Sequence, residues 1–203
     1  SLAELIHSFV RINNIFSDFS LDMWLYISRN IFVQKNIVGE VGSSTMPHKI
    51  NPIFFENAEG NLDIANNNFS FLASRITRSR LQRDLSGSTV LRNIGVGFAH
   101  SLVAYKNLIK GVLRVSPNKA QMKKELDENW SILAEAIQTV LRKSGEAFAY
   151  DKIKMLTRGK PLTKESYLEL VNSLDVAEKD RLILLELTPH TYLGEINKVL
   201  ENL

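Results

Sequence analysis

The length of the apolar patterns in the first half of the chain most constrains its fold. Between residues 1 and 111, apolar side chains recur at three- and four-residue spacing in three segments, each about 24 to 28 residues long, which is the spacing of one face of an α-helix. Such helices are about 36 to 42 Å long, and each would expose a broad apolar face if it stood alone. The sequence therefore predicts a bundle of long helices, completed within the chain or between chains.

Local signals give the ends of these helices. Asn51-Pro52 is typical of an N-cap followed by a first helical residue, and Ser86 or Ser88 can cap the third helix. Gly95 and Gly97 lie inside the third helix, where each costs about 1 kcal/mol relative to alanine. We therefore expect both glycines at close helix contacts. The predicted bounds are 1–29, 52–78 and 86–111.

Shorter and more charged helices follow a boundary at residues 115–117, where a serine and a proline can start a new helix. Since no alternation typical of a strand occurs, the predicted fold class is all-α. It comprises long bundle helices in a domain of residues 1–114 and a small all-helical C-terminal domain of residues 115–203. The predicted helices of this second domain are 118–127, 131–143, 148–157, 163–173, 177–187 and 192–201.

Composition limits the chemistry. The 203 residues include 25 basic and 22 acidic side chains, a net charge of +3, and the charges are interspersed. This pattern gives little indication of a nucleic-acid partner. The absence of cysteine excludes disulfides, thiol catalysis and cysteine zinc sites. The sequence also has no metal-ligand spacing of histidines and carboxylates and no glycine-rich cofactor fingerprint, so we expect neither a metal nor a cofactor.

The sequence gives no indication of a membrane. No apolar run approaches the roughly 20 residues that span a bilayer, and the first residues lack the features of a signal peptide. We therefore expect a cytoplasmic protein without a membrane partner. The chain does not begin with methionine, which fits a segment that starts inside a longer protein.

The strongest functional signal is the stretch VGSSTMPHKINPIFFENAEGN, residues 41–61. A hydroxyl-rich segment is followed by Lys49 and by the predicted helix start at Asn51. A lysine and the unpaired N–H groups of a helix start both attract anions. We interpret residues 39–52 as a loop that holds a carboxylate or phosphate beside a hydroxyl that can exchange a proton. The alternative is a flexible linker, a solvated lysine and an ordinary helix start that happen to be adjacent.

A second candidate site lies in the segment RDLSGSTVLR. Arg83 and Arg92 flank the hydroxyl pair Ser88 and Thr89 near the predicted start of the third helix. Guanidinium groups can bind phosphate through two hydrogen bonds, and a helix start adds N–H donors. The segment is therefore a candidate phosphate site. The alternative is a solvated basic face that also includes Arg78 and Arg80.

The sequence GSSTMPHKINP resembles the signature loop of the aspartase/fumarase superfamily, whose members release fumarate by β-elimination. Within this superfamily, His48 and the downstream segment QRDLSGSTVLRN are similar to the bacterial adenylosuccinate lyase family. The resemblance extends over essentially all 203 residues but covers only the C-terminal part of such an enzyme, because family members are more than twice this length.

The resemblance implies roles for residues of the loop. The first serine of the GSS motif is the proton-abstracting base, which corresponds to Ser43. Ser44, Lys49 and Asn51 are then expected to contact the succinyl carboxylates of the substrate. Glu56 lies seven residues beyond the lysine and is expected to hold its ammonium group in place.

For the nucleotide end of the substrate, the resemblance implies contacts with phosphate and ribose. Asn57 is placed to touch the substrate as well, whereas a structural role is expected for His48. The remaining histidines are interpreted as structural, and Trp24 and Trp130 as core residues. The residues expected at the phosphate and ribose are Arg83, Ser88, Thr89 and Arg92.

The resemblance also implies an activity and partners. The expected substrates are adenylosuccinate and SAICAR, the succinylated aminoimidazole-carboxamide ribotide of purine biosynthesis, cleaved without a cofactor. Family members form homotetramers in which several subunits build each active site. Their general-acid histidine lies in an N-terminal portion without a counterpart in these 203 residues, so we expect the chain alone to be inactive.

Two alternatives remain open at this point. The first is another fumarate-releasing lyase of the superfamily, such as one that acts on argininosuccinate. The second is a catalytically silent helical oligomerisation module.

Overall fold

A computed structural model of the protein describes residues 1–35, 51–81, 85–157 and 162–202. These residues are mostly helical, which confirms the predicted all-α class. They divide into two compact units, Ser1–Asn118 and Lys119–Leu203. The two-domain organisation predicted from the sequence stays a prediction, and each unit is described here by itself.

Long helices dominate the first unit. Helix α1 spans Leu2–Ser28 and α2 spans Ile53–Ile76, so both predicted helices are confirmed to within about two residues. The predicted third helix is instead two helices, α3 at Leu85–Leu91 and α4 at Ile94–Leu113. The turn between them contains Arg92 and Asn93, and neither residue type interrupts a helical pattern by itself.

The helix starts differ in detail from the predicted caps. Helix α1 begins with a capping box, in which Ser1 and Glu4 bond each other's backbone N–H groups. Pro52, and not Asn51, occupies the N-cap position of α2. Ser86 and Ser88 both lie inside α3, so neither is a cap. The predicted caps at these two helices were therefore wrong.

Helices α1, α2 and α4 pack in an up-down-up arrangement. Phe9 of α1 contacts Phe69 of α2 and Phe98 of α4, with ring centroids 5.9 and 4.9 Å apart. Toward the other end of the bundle, Phe55 of α2 and Ala104 of α4 belong to a second buried apolar cluster. Since apolar burial is the main source of stability, these two clusters hold the three helices together.

A buried polar layer joins α1 to α4. The Asn13 side chain is fully buried; its Nδ2 donates to Ser101 Oγ at 3.0 Å, and its Oδ1 accepts from the Tyr105 hydroxyl at 2.5 Å. Burial raises the pKa of Tyr105, which therefore stays a protonated donor. Every polar group of this layer has a partner, so the layer is compatible with an apolar surrounding.

A small antiparallel sheet joins the end of α1 to the end of α4. Strand β1 spans Phe32–Gln34 and pairs with β2, Val115–Pro117, so that Val33 faces Ser116. The expectation of no strands was wrong at this point, because three residues are too few to show an alternating pattern. The main-chain N–H of Lys35 also donates to the carbonyl of Arg114 at 2.8 Å. The sheet thus fixes the chain up to Lys35.

The second unit is a group of short helices around one apolar core. Tyr167 is fully buried at its centre, and its hydroxyl donates to the carbonyl of Leu184 at 2.7 Å. Trp130 packs against the Tyr167 ring at 5.6 Å. The elements are α5 (Lys119–Glu128), a 3-10 helix (Trp130–Leu133), α6 (Ala134–Lys143), α7 (Ala149–Thr157), α8 (Lys164–Ser173), α9 (Glu178–Glu186) and α10 (Ile196–Glu201).

Among the described residues, none of the helices has the length and apolar character that crossing a membrane requires.

Two glycines of α4 differ in their surroundings. A Cβ atom at Gly97 would lie 2.5 Å from Cε1 of Phe69, whereas one at Gly95 would meet nothing within 4 Å. The expected close contact is therefore confirmed for Gly97 and wrong for Gly95. The Phe69 ring cannot move aside easily, because it is buried between Phe9 and Phe98.

We predict that Gly97→Ala lowers the free energy of unfolding by about 1 to 3 kcal/mol, the usual cost of overpacking. Gly95→Ala is the matched control and should leave stability unchanged or raise it by up to about 1 kcal/mol, because alanine favours the helix. Urea unfolding followed by circular dichroism compares the two variants. Equal effects at both positions would contradict the packing argument.

The buried tyrosine of the second unit predicts a pH dependence. Burial raises the pKa of Tyr167 to about 12, so the unfolded chain releases this proton first as the pH rises above about 10. The folded state then binds more protons than the unfolded state, and stability falls with rising pH. This one group should cost about 1 kcal/mol between pH 9 and pH 11.

Urea unfolding at both pH values, followed by Trp130 fluorescence in a Trp24→Phe background, measures this loss. Tyr167→Phe should be less stable at pH 9, since it lacks the hydrogen bond to Leu184, but should show a smaller decrease between the two pH values. Tyr150→Phe, at an exposed position, is the control. An unchanged pH dependence in Tyr167→Phe would show that this hydroxyl does not titrate as described.

Candidate functional site

The predicted site residues fall into three groups in the structure. Ser43, Ser44, Lys49 and Arg83 lie outside the described residues, as does most of the predicted loop. Asn51, Glu56 and Asn57 lie at the start of α2. Ser88 and Thr89 lie in α3, and Arg92 lies in the turn after it.

The start of α2 is attached to α1 by a polar contact. The indole Nε1 of Trp24 donates to Glu56 Oε1 at 3.1 Å. Trp24 is 44% exposed in this chain, so its assignment to the core was wrong. The bond places the carboxylate at the first turn of α2, where an acidic side chain is favoured by the helix dipole. The predicted contact of Glu56 with Lys49 stays a prediction.

Asn57 lies one position further along α2 and belongs to a network of amide side chains. Its Oδ1 accepts from Nδ2 of Asn61 at 3.1 Å and from Nδ2 of Asn107 of α4 at 2.5 Å. Oδ1 of Asn61 lies 2.8 Å from Nδ1 of His100. The sequence analysis missed the three partners of Asn57. The four-residue spacing of Asn57 and Asn61 places them on one helix face, which was an available signal.

The second candidate site is attached to the opposite end of α2. Nη2 of Arg75, near the end of α2, donates to Ser86 Oγ of α3. Ser88, Thr89 and Arg92 are exposed, and Thr89 Oγ1 donates to the carbonyl of Leu85. Because α3 starts at Leu85, the hydroxyl pair lies in the second half of this helix. The N–H donors expected beside it are therefore not at the predicted place.

The two candidate sites are far apart within one chain. Asn57 lies near the start of α2, and Arg75, which anchors α3, lies 18 residues later near its end. A rise of 1.5 Å per residue separates these positions by about 27 Å. A single substrate nucleotide therefore cannot contact both sites of the same chain.

A metal centre is not indicated in this part of the molecule. The described residues contain no group of three or more histidine, aspartate or glutamate side chains that could hold a metal ion. Histidines form individual contacts instead, such as His190 Nε2 with Asp127 Oδ1 at 2.7 Å in the second unit. Hydrogen bonds with Lys123 and His190 lower the pKa of Asp127.

Similar folds occur among solved structures of fumarases and related enzymes. A class II fumarase from Schistosoma mansoni aligns over 90% of this chain and 38% of its own length, with a TM-score of 0.65. A 3-carboxy-cis,cis-muconate lactonizing enzyme from Pseudomonas putida aligns over 99% of this chain and 46% of its own, with a TM-score of 0.67. Both are 20% identical to this chain, which shows a shared fold.

Sequence families narrow this class. A family model for "Lyase" matches residues 1–63, and one for "Adenylosuccinate lyase C-terminal" matches residues 79–193, which is more than half of the chain. The chain therefore belongs to the adenylosuccinate lyase C-terminal family. The resemblance to this family in residues 43–52 and 82–93 is thereby confirmed.

Individual relatives agree with this assignment. An adenylosuccinate lyase from Legionella pneumophila is 51% identical over 193 residues, which cover 95% of this chain. Those from Haemophilus influenzae and Escherichia coli K12 are each 46% identical over 202 residues, which cover the whole chain. The chain spans 42 to 44% of the length of these relatives.

Proposed function

We propose that this chain supplies part of the active site of an adenylosuccinate lyase. The full enzyme would cleave adenylosuccinate to AMP and fumarate, and SAICAR to AICAR and fumarate, in purine biosynthesis. The observation that carries the proposal is the match of residues 79–193 to the adenylosuccinate lyase C-terminal family. A cytoplasmic location, the absence of a cofactor and the inactivity of the 203 residues alone stay predictions.

The loop residues would perform the elimination. A base takes a proton from the carbon beside a carboxylate, the carbon–nitrogen bond breaks, and the departing nitrogen gains a proton from an acid elsewhere in the enzyme. The carbanion that forms is stabilised as an aci-carboxylate dianion, which requires positive charge and N–H donors nearby. Ser43 is the proposed base, with Lys49 and Asn51 at the succinyl carboxylates and Ser44 beside them. A nearby cation and exclusion of water favour the serine alkoxide.

The segment around α3 would hold the nucleotide. Guanidinium groups bind phosphate oxygens through charge-assisted hydrogen bonds, and hydroxyls add neutral ones. Exposure of Arg92, Ser88 and Thr89 supports this role, because these side chains remain accessible to a ligand. Arg83 is the second proposed phosphate ligand.

The proposed site requires more than one copy of the chain. The loop end and the α3 end lie about 27 Å apart within a chain, so a homo-oligomer would have to bring the loop of one copy to α3 of another. Exposed apolar side chains on the bundle helices support such an assembly. On α1, four of them recur every seven residues, as helix–helix contacts require: Leu5, Ile12, Phe19 and Tyr26. We propose a homotetramer.

Another fumarate-releasing lyase remains the second candidate within the superfamily. A lyase that acts on argininosuccinate would not need the phosphate site. Incubation of the full-length protein with each succinyl compound, followed at the purine absorbance and by fumarate release, separates the two activities.

Substitution of the proposed base tests the catalytic function. In the full-length enzyme, Ser43→Ala should lower kcat by at least about 100-fold, because general-base catalysis contributes that much or more. Substrate binding should change little. Ser70→Ala, at an exposed position of α2, is the control. Unchanged turnover in Ser43→Ala would favour a silent oligomerisation module.

Substitution of an arginine tests the phosphate site. Arg92→Ala should raise the KM for adenylosuccinate by about 10- to 100-fold, the equivalent of a charge-assisted hydrogen bond worth about 1.5 to 3 kcal/mol. Arg80→Ala removes a neighbouring exposed guanidinium and is the matched control. An equal rise in both variants would favour the solvated basic face over a specific phosphate site.

A further inference from the structure

The amide network around Asn57 has a defined direction. Nδ2 and Oδ1 of an asparagine can be exchanged by a rotation of 180°, so the direction of such a network needs a fixed reference. The main-chain carbonyl of Asn57 provides one, because a carbonyl oxygen can only accept. The Asn61 side chain lies 2.8 Å from this oxygen, so the atom that faces it must be the nitrogen.

The remaining orientations follow from this atom. The same Nδ2 of Asn61 lies 3.1 Å from the Asn57 side chain, which must therefore present its Oδ1. That oxygen also requires Asn107 to present Nδ2, at 2.5 Å. Oδ1 of Asn61 is then left to face His100, so Nδ1 of His100 carries a proton and donates at 2.8 Å.

The other end of the Asn57 amide is available. Asn57 is exposed, and no acceptor for its Nδ2 occurs among the described residues. Asn61, His100 and Asn107 are half-buried beneath it. The Asn57 amide thus turns its oxygen toward α4 and its NH2 group away from its two donors.

We propose that Asn61, His100 and Asn107 are positioning residues that fix the Asn57 amide as a pure hydrogen-bond donor to the substrate. This inference rests on the proposed function, in which Asn57 touches the substrate. The group recognised by Asn57 is then an acceptor, such as a carboxylate, phosphate or carbonyl oxygen. Without its two donors the amide could rotate and present its oxygen, which repels such a group.

The proposal predicts an effect on binding more than on chemistry, because the donor contacts substrate and transition state alike. In the full-length enzyme, Asn107→Leu should raise the KM for adenylosuccinate by about tenfold and change kcat by less than about twofold. Calorimetric titration with AMP gives an independent measure if Asn57 contacts the nucleotide part. Thermal unfolding verifies that each variant folds, and Asn107→Ala replaces a leucine variant that does not.

The histidine allows a conservative rescue. His100→Asn places an amide nitrogen about where Nδ1 lies, since both atoms are attached to Cγ, and should keep KM within about twofold of the unsubstituted enzyme. His100→Leu removes the donor and should raise KM by about three- to tenfold. The comparison separates the hydrogen bond from the packing of the ring.

A structural control is available on the same helix. Nδ2 of Asn66 donates to Oδ1 of Asn14 on α1 at 2.8 Å, a similar amide pair between two helices. Asn66→Leu should lower the melting temperature and leave KM unchanged. The inference is overturned if the Asn107 and His100→Leu variants keep the KM of the unsubstituted enzyme, if Asn66→Leu raises KM equally, or if His100→Asn is as impaired as His100→Leu. An unsubstituted enzyme that releases no fumarate would instead overturn the proposed function, and the inference with it.

Discussion

The packing of α2 against α4 is the contact on which the rest of the first unit depends. Phe55 and Phe69 of α2 lie against Gly111 and Gly97 of α4, where a Cβ atom would come within 2.8 and 2.5 Å of the rings. Both pairs are 14 residues apart, which is close to four helical turns and keeps them on one face. Two bulky rings and two missing side chains thus set both the separation and the register of the helices.

This register determines which polar groups meet. Asn57 and Asn61 lie on α2 between the two phenylalanines, and their partners lie on α4 between the two glycines. A slip of one turn would move α4 by about 5.4 Å and break each of these bonds. Buried Asn13 makes the same demand on α1, because it must meet Ser101 and Tyr105 or remain unsatisfied at a cost of about 1 to 3 kcal/mol.

The sequence predicts those features that depend on neighbouring residues. Periodic apolar positions over 24 and 27 residues placed α2 and α1 correctly, whereas the break at Arg92 lacks a glycine or proline and was not predicted. Gly95 and Gly97 look equivalent in sequence, and only the facing Phe69 distinguishes them. The partners of Asn57 could not be predicted in full, because Asn107 lies 50 residues away and reaches it only through the helix register.

The separation of the two candidate sites gives this register a functional meaning under the proposed function. Each chain would offer a loop at one end of α2 and an arginine segment at the other, so a substrate would have to lie between two copies. The position of each end relative to a neighbouring copy then depends on rigid helices whose ends cannot slide. Ring-on-glycine contacts and polar pairs restrict sliding, whereas a uniformly apolar interface would tolerate it. The polar residues inside the bundle are therefore better explained by fixing the register than by adding stability.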